Sequence, residues 1–513
     1  MANEQKITIL DFGGQRNQLI ARRVREMGVY CEILPYTKPI SEWKTAALKG
    51  VILTGGEGLC KDGGAPMMDQ ALLNLDVPVL GIGYGMQMIG AICGAEVAKE
   101  TTEDSGICAF ELTEGGLFDG LSGWTDAYMA AGHQLLSSPV EFSVEAKANH
   151  CDIAAIANPS KGLYGLQFNP EVSKSKDGRA ILRNFVFGIC GCEAGYKLED
   201  QIDKMVADVK AQVGSKRIVA AMSGGVDSSV ACVIANKAVG ADQLTCVFVD
   251  HGLMRYKEGD QVIETYKEKL GLNVIRIDAE DRFLTALKGV TDPEQKRKII
   301  GETFVRVFEE EARKTGAEFL LQGTIYPDII ESGIDGKGAV KSHHNVGGMP
   351  KESLFQQEQL VEPLKYLFKD EVRYIGEAMG IPHEMLWRQP FPGPGLGVRC
   401  IGELRKERLD KLRLVDYVYR DEIAKAGLSE QIWQYFAVLT GVKTVGVKND
   451  ERTYDDCVAL RAVHTEDAMT ADVAEIPYAV LAKIVKRIIE ECPGVNRVVY
   501  DITMKPPGTI EWE

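Results

Sequence analysis

Several stretches carry residue types at spacings that can do chemistry. The strongest is "IVAAMSGGVDSSV", in which an apolar run ends in Ser223, Gly224, Gly225, Val226, Asp227, Ser228 and Ser229 before a helical pattern. Two glycines let backbone approach a ligand, and hydroxyls with the amides of a helix N-terminus suit an anion. The lysine of a GxxxxGK[ST] loop is absent. A capped strand-to-helix turn explains a lone SGG, but SGGxDSS after a buried strand points to a phosphate site. The second stretch is "PVLGIGYGMQ", residues 78–87. It reads as a strand, a tight turn and a helix, the mount of a reactive nucleophile. Its tip is Gly83, which has no side chain.

Further along, "CVFVDHGLMR" puts Val249 and Asp250 at a strand end, where an adenine or ribose lies in an open α/β sheet. "FLLQGTIYPDIIES" ends a strand at Gly323-Thr324 and supplies Asp328 and Glu331, candidate magnesium-side carboxylates. "GAVKSHHNVGG" sets Lys341, His343 and His344 between glycines, a pattern for a lid over phosphates or for a solvated loop. Adjacent histidines lack helical metal spacing, which argues against zinc. "PEQKRKII" carries Lys296, Arg297 and Lys298; alone, such a run is more often a solvated face than a site. In "YDITMKPPGTIEWE" two prolines stiffen the tail behind Lys505. A lysine and a carboxylate suit a nucleotide, Lys505 for phosphate and Glu511 as acceptor for ring N–H groups.

These residues need elements to hold them. "KITILDFG", "GVILTGG" and "PVLGIG" read as strands alternating with helical patterns such as "NQLIARRVREMG". The expected fold class is α/β: two open, mainly parallel α/β domains followed by a smaller α+β domain. The pattern shifts near residue 195, and the Pro/Gly-rich "RQPFPGPGLGVR" breaks it near 390. The expected domains are therefore 1-195, 196-390 and 391-513.

The 513 residues suffice for about three domains. At 45% hydrophobic and 26% charged, the chain has the composition of a soluble globular protein. No apolar run is long enough to span a bilayer, and "MANEQKITILDF" lacks a signal-peptide pattern, so a cytoplasmic location is expected. The net charge of -15 argues against general nucleic-acid binding. The 12 cysteines are scattered without a CxxC pair and are expected to be reduced, mostly buried thiols.

"SGGVDSS", "GVTDPEQKRKIIG", "KSHHNVGG", "PFPGPGLGVR", "DERTYD" and "KPPGTIEWE", in this order, resemble the GMP synthetase family over essentially the whole chain. The resemblance implies a class I glutamine amidotransferase domain, an ATP pyrophosphatase domain and a C-terminal dimerisation domain that makes a homodimer. It implies ATP and magnesium, with Asp227 helping to hold the metal. The implied reaction has XMP O2 attack the ATP α-phosphate and pyrophosphate leave. Ammonia then displaces AMP to give GMP. By residue match, Ser223 to Ser229, Val249 and Gly323 would bind ATP. Asp227, Lys341, His343 and His344 would serve catalysis, and Arg297, Asp450, Lys505, Ile510 and Glu511 would bind XMP.

The chain departs from the family at the amidotransferase site. The family has a Cys at the elbow and a His-x-Glu pair; here the elbow is Gly83 and "FNPE" places Asn169 where the histidine stands, with Glu171 kept. Asparagine cannot shuttle a proton near neutral pH. Gly55-Gly56 keep the family's oxyanion backbone, followed by Glu57 in place of proline. Cys60 and Cys93 are not on the elbow. "RQPFPGPG" also carries Gln389 where the family has histidine, read as a tolerated polar swap over an altered pocket. The leading expectation is a GMP-forming ligase using free ammonia, with no glutaminase activity. A ligase for another amine or purine nucleotide and a nucleotide-binding pseudoenzyme are the alternatives.

Overall fold

The computed structural model describes residues 5–14, 16–56, 60, 65–99, 106–130, 132–331, 354–448, 450–465 and 470–513. Lys341, His343, His344 and Glu57 lie outside the described residues. The chain divides into two compact units, Met1–Asp200 and Gln201–Glu513.

In the first unit, β1 (Lys6–Phe12), α1 (Asn17–Glu26), β2 (Tyr30–Pro35), β3 (Leu48–Gly56), β4 (Val79–Ile82) and α2 (Tyr84–Ile92) follow one another. They are joined by β5 (Gly106–Leu112), β6 (Gly123–Met129), β7 (Ser143–Ala148), β8 (Cys151–Asn158) and β9 (Leu163–Leu166). The nine strands form one sheet, ordered β2-β1-β3-β4-β9-β8-β7-β5-β6. From β2 to β9 the pairs are parallel, and this half carries the elbow. From β9 to β6 they are antiparallel, an extension that local periodicity does not announce. Helix α1 buries Ile20, Ala21 and Val24 on one stripe and stops at Gly28, in the left-handed region at φ 76°.

In the second unit, β10 (Ile218–Met222), α3 (Val226–Val239), β11 (Leu244–Asp250), β12 (Val274–Asp278), α4 (Pro293–Thr315), β13 (Phe319–Leu321), β14 (Leu360–Val361) and α5 (Lys369–Ala378) build a parallel sheet ordered β12-β11-β10-β13-β14. Strand β10 is almost wholly buried, as a strand covered on both faces must be. After α6 (Lys406–Lys425) come the long hairpin β15 (Gln434–Lys448) and β16 (Glu451–His464), then β17 (Asp472–Val473), α7 (Tyr478–Glu491) and β18 (Val495–Asp501). Strand β18 pairs with β16 in parallel. One buried apolar cluster runs from Val219 on β10 through Leu396 and Leu412 to Ile488 and Val495.

All 12 cysteines are free, and ten of them are buried. No described helix is long and apolar enough to cross a membrane.

Candidate functional site

The elbow in the first unit is built by three glycines with different duties. A Cβ at Gly81 would lie 2.4 Å from the backbone of Gly85, and one at Gly85 would lie 2.4 Å from Leu53 O. Those two positions must be glycine for β4, α2 and β3 to pack. A Cβ at Gly83, at φ 57° and ψ −111°, would meet nothing within 4 Å among the described residues. Its neighbours do not exclude a side chain; only the left-handed backbone disfavours one. The Gly83 amide donates to Leu166 O at 2.7 Å, which locks the tip against the end of β9.

Asn169 and Glu171 follow the same end of β9. Asn169 Nδ2 donates to Glu171 Oε1 at 2.8 Å, and the Asn169 amide donates to Tyr128 O at 2.8 Å. Glu171 is 1% exposed, and its Oε2 has no hydrogen-bond partner among the described residues. Burial pushes its carboxyl up to about 7, against the smaller opposing effects of its own amide, Asn169, Arg16 and Arg23.

The candidate phosphate loop in the second unit is pre-shaped by its own hydroxyls. Ser223 Oγ accepts from the Gly225 amide at 3.1 Å, and Ser228 and Ser229 donate to Gly225 O at 3.1 and 2.6 Å. Gly224 takes the left-handed region at φ 71°. Gly323, after β13, presses on the loop: a Cβ there would lie 2.7 Å from Ser228 N. The structure thus brings Ser223 to Ser229 and Gly323 together at the C-terminal edge of the sheet. Val249, the penultimate residue of β11, is 2% exposed there, and Asp250, its last residue, is paired with Arg276 at 2.6 Å.

Two cations at this loop were not singled out in the sequence. Lys369, first residue of α5, donates to both Asp227 oxygens at 2.7 and 2.6 Å. Arg388 donates to Gly224 O and, at 3.1 Å, to Glu258 Oε1. "LFKDEVR" and "RQPF" contain them, but nothing local marks either as a loop partner. Asp328 Oδ2 accepts from the Ile325 amide at 3.1 Å, so it also caps its own turn. No group of three or more metal-ligating side chains occurs among the described residues. Asp227 beside the loop fits a magnesium ion that arrives with the nucleotide, because that ion needs only one or two carboxylates beyond the phosphates.

The tail residues are ordered by buried cations. Arg399 donates to Glu511 Oε1 at 2.7 Å and Oε2 at 3.0 Å. Arg461 donates to Thr503 O, Thr509 O and Ile510 O at 2.7, 2.9 and 3.0 Å, and pairs with Asp501 at 3.0 Å. Both arginines are fully buried. Lys296 is not a solvated charge: it is fully buried, bonded to Glu513 and, at 2.9 Å, to Cys400 O. Arg297 donates to Glu513 O. Lys505 pairs through its backbone with Ala471, and the Ile510 side chain packs against Phe436, Val438 and Ala459. A cavity of about 410 Å³ is lined by Arg461, Asp501, Thr503, Thr509, Glu511 and Trp512, among others.

Asp450 is not brought to this cavity. It is exposed, with φ 61°, in the turn joining β15 to β16. Ten residues of β16 lie between it and Arg461, a span of roughly 35 Å in extended strand. Gln389 has a structural duty, accepting at Oε1 from the Tyr435 amide at 3.0 Å.

Comparison with known proteins agrees with this architecture. Family models match in order: glutamine amidotransferase class-I over residues 8–189, NAD synthase over 197–305, and GMP synthase C terminal domain over 421–512. The chain is 53% identical over 513 residues to a protein of Acetivibrio thermocellus named GMP synthase [glutamine-hydrolyzing], covering 100% of both chains. Identity is 50% over 512 residues to the like-named protein of Clostridium tetani, covering 99% of this chain and 100% of that one. It is 51% over 515 residues to that of Ruminiclostridium cellulolyticum, covering 100% of both. With a phosphate loop, an elbow and a tail site in the matching segments, the chain belongs to the GMP synthase family, as an ATP-dependent ligase of that type.

Proposed function

We propose that this ligase adenylates XMP with ATP and aminates it to GMP using free ammonia, without hydrolysing glutamine. One observation carries the reading. The elbow tip is a glycine, and the neighbouring Glu171 carboxyl is bonded to Asn169 in place of an imidazole. Glutamine hydrolysis of this class needs a thiolate to attack the carboxamide and a base to move its proton. Neither Gly83 nor Asn169 supplies these groups. The relatives that match the whole chain carry "glutamine-hydrolyzing" in their names, so loss of this half-reaction would set the chain apart within its family.

The other half keeps its parts. The loop from Ser223 to Ser229 presents amides and hydroxyls for the departing pyrophosphate, and Gly323 holds the loop's position. Lys369 and Asp227 sit as a pair that an arriving phosphate group and its metal would divide between them. Magnesium would supply charge neutralisation on the pyrophosphate. XMP O2 attacks the α-phosphate, the bond to pyrophosphate breaks, and ammonia then adds at C2 while AMP leaves with the bonding pair. The acceptor purine would lie against Glu511, with Lys505, Ile510 and Arg297 nearby on the tail side. Lys341, His343 and His344 would close over the phosphates, and the three segments 1-195, 196-390 and 391-513 would carry the three roles. A homodimer through the C-terminal segment and a cytoplasmic location complete the reading.

Gln389 does not favour another purine: its bond to the Tyr435 amide supports a scaffold role. The test of the glutaminase claim is glutamate release. With ATP, XMP and glutamine present, the protein should form glutamate no faster than a no-enzyme control. Release coupled to GMP formation would sink the claim.

A further inference from the structure

The geometry points to Arg399 as the positioning residue that makes Glu511 a fixed acceptor for the purine. This rests on the reading that Glu511 receives the acceptor base. Three features carry the inference. First, the contact is two-ended: Nη2 to Oε1 at 2.7 Å and Nε to Oε2 at 3.0 Å, a fork-on-fork pair that fixes the plane of the carboxylate. Second, the guanidinium is packed against aromatic rings. It lies 3.9 Å from the centroid of Phe436 and 5.3 Å from that of Phe391, and the side chain is fully buried. Third, the carboxylate is steadied from a different element. Gln434 Nε2 reaches Glu511 Oε1 at 3.4 Å and Pro390 O at 3.0 Å.

A carboxylate held this way still has lone pairs directed away from the arginine. Glu511 remains 19% exposed in its side chain and lines the 410 Å³ cavity, whereas Arg399 does not line it. Arg399 therefore acts through Glu511. The holder and the phosphate loop are also joined. Arg388, which donates to Gly224 O, and Arg399 bracket one segment, and Leu396 within it donates its amide to Leu253 O at 2.8 Å. The purine acceptor is thus anchored to the scaffold that shapes the ATP site. Lysine could keep the charge but neither the fork nor the stacking.

Titrate XMP into wild type, Arg399→Lys, Glu511→Gln and the double variant by calorimetry, and ATP into the same proteins. Assay GMP formation with ammonium in the wild type. Arg399→Lys should weaken XMP at least tenfold, leave ATP within twofold, and add less than twofold on top of Glu511→Gln. Unchanged XMP affinity, multiplying effects in the double variant, or equal losses for XMP and ATP would overturn the proposal. Should Arg399→Lys fail to fold, Phe436→Leu removes one stacking face. A three- to fivefold loss for XMP alone is then expected, and no loss overturns the proposal. Wild type that binds XMP but makes no GMP contradicts the proposed function while leaving the Arg399 comparison decided by affinity.

Discussion

Asn169 Nδ2 donates to Glu171 Oε1 at 2.8 Å, so a carboxyl that is 1% exposed is held by a neutral amide that cannot bring it a positive charge. Its second oxygen has no partner among the described residues, and burial raises the group to about 7.

That raised carboxyl makes a stability prediction. A group lifted above its ordinary 4.5 holds its proton in the folded state at pH values where the unfolded chain has lost it. The folded state therefore binds more protons between 4.5 and 7, and its stability falls as pH rises through that window. The full effect is about 3 kcal/mol, since each tenfold change in proton affinity is worth about 1.4 kcal/mol. Glu171→Gln removes the titration. Its stability relative to wild type, from denaturant unfolding of the N-terminal unit's transition in the whole protein, should improve by about 2 kcal/mol between about pH 5.5 and 7.5. A difference independent of pH would show that Glu171 stays ionised.

On the proposed function, glutamine hydrolysis at the elbow needs both a thiol at 83 and an imidazole at 169. A Cβ at Gly83 meets nothing among the described residues within 4 Å, so Gly83→Cys costs only the strained positive-φ backbone, about 1–3 kcal/mol. The expected outcome is glutamate release from Gly83→Cys/Asn169→His and none from either single variant. Activity in Gly83→Cys alone would mean that another group serves as base.

Lys369 holds both oxygens of Asp227 at the phosphate loop. Lys369→Met should lower kcat/KM for ATP by about ten- to a hundredfold, the 1.5–3 kcal/mol of a hydrogen bond to a charged group. KM for XMP should stay within about twofold. Pyrophosphate release under varied ATP checks this, and an unchanged rate would make the pair a bystander.

How much of this was legible in the sequence follows contact distance along the chain. The loop from Ser223 to Ser229 and the elbow around Gly83 are each built from consecutive residues, so periodicity and glycine spacing exposed them. The residues that hold them were hidden. Lys369 meets Asp227 from 142 positions away, Arg399 meets Glu511 from 112, and Lys296 meets Glu513 from 217. Such partners are chosen by packing, and a buried cation looks like a surface one in sequence. "KRK" at 296 is the plainest case, its first lysine buried and its last exposed. Asp450 shows the converse: the family resemblance groups it with the tail residues, while within this chain it sits in the turn of the β15–β16 hairpin.

Gln389 offers a check on which differences matter. Its Oε1 serves the amide of Tyr435, a residue 4% exposed. Gln389→His should retain an acceptor and leave GMP formation within about threefold. Gln389→Ala orphans the amide and should cost about 1–2 kcal/mol of stability, with KM for XMP unchanged. A changed preference among purine nucleotides in either variant would assign Gln389 to recognition.

Whether this GMP synthase family member takes its nitrogen from ammonia is decided by the isotope in its product. Supply ATP, magnesium and XMP with ¹⁵N-ammonium and unlabelled glutamine together, and weigh the GMP. Product should carry ¹⁵N at the enrichment of the ammonium, at a rate unaffected by glutamine. Unlabelled GMP in excess, rising with glutamine, would refute the ammonia assignment.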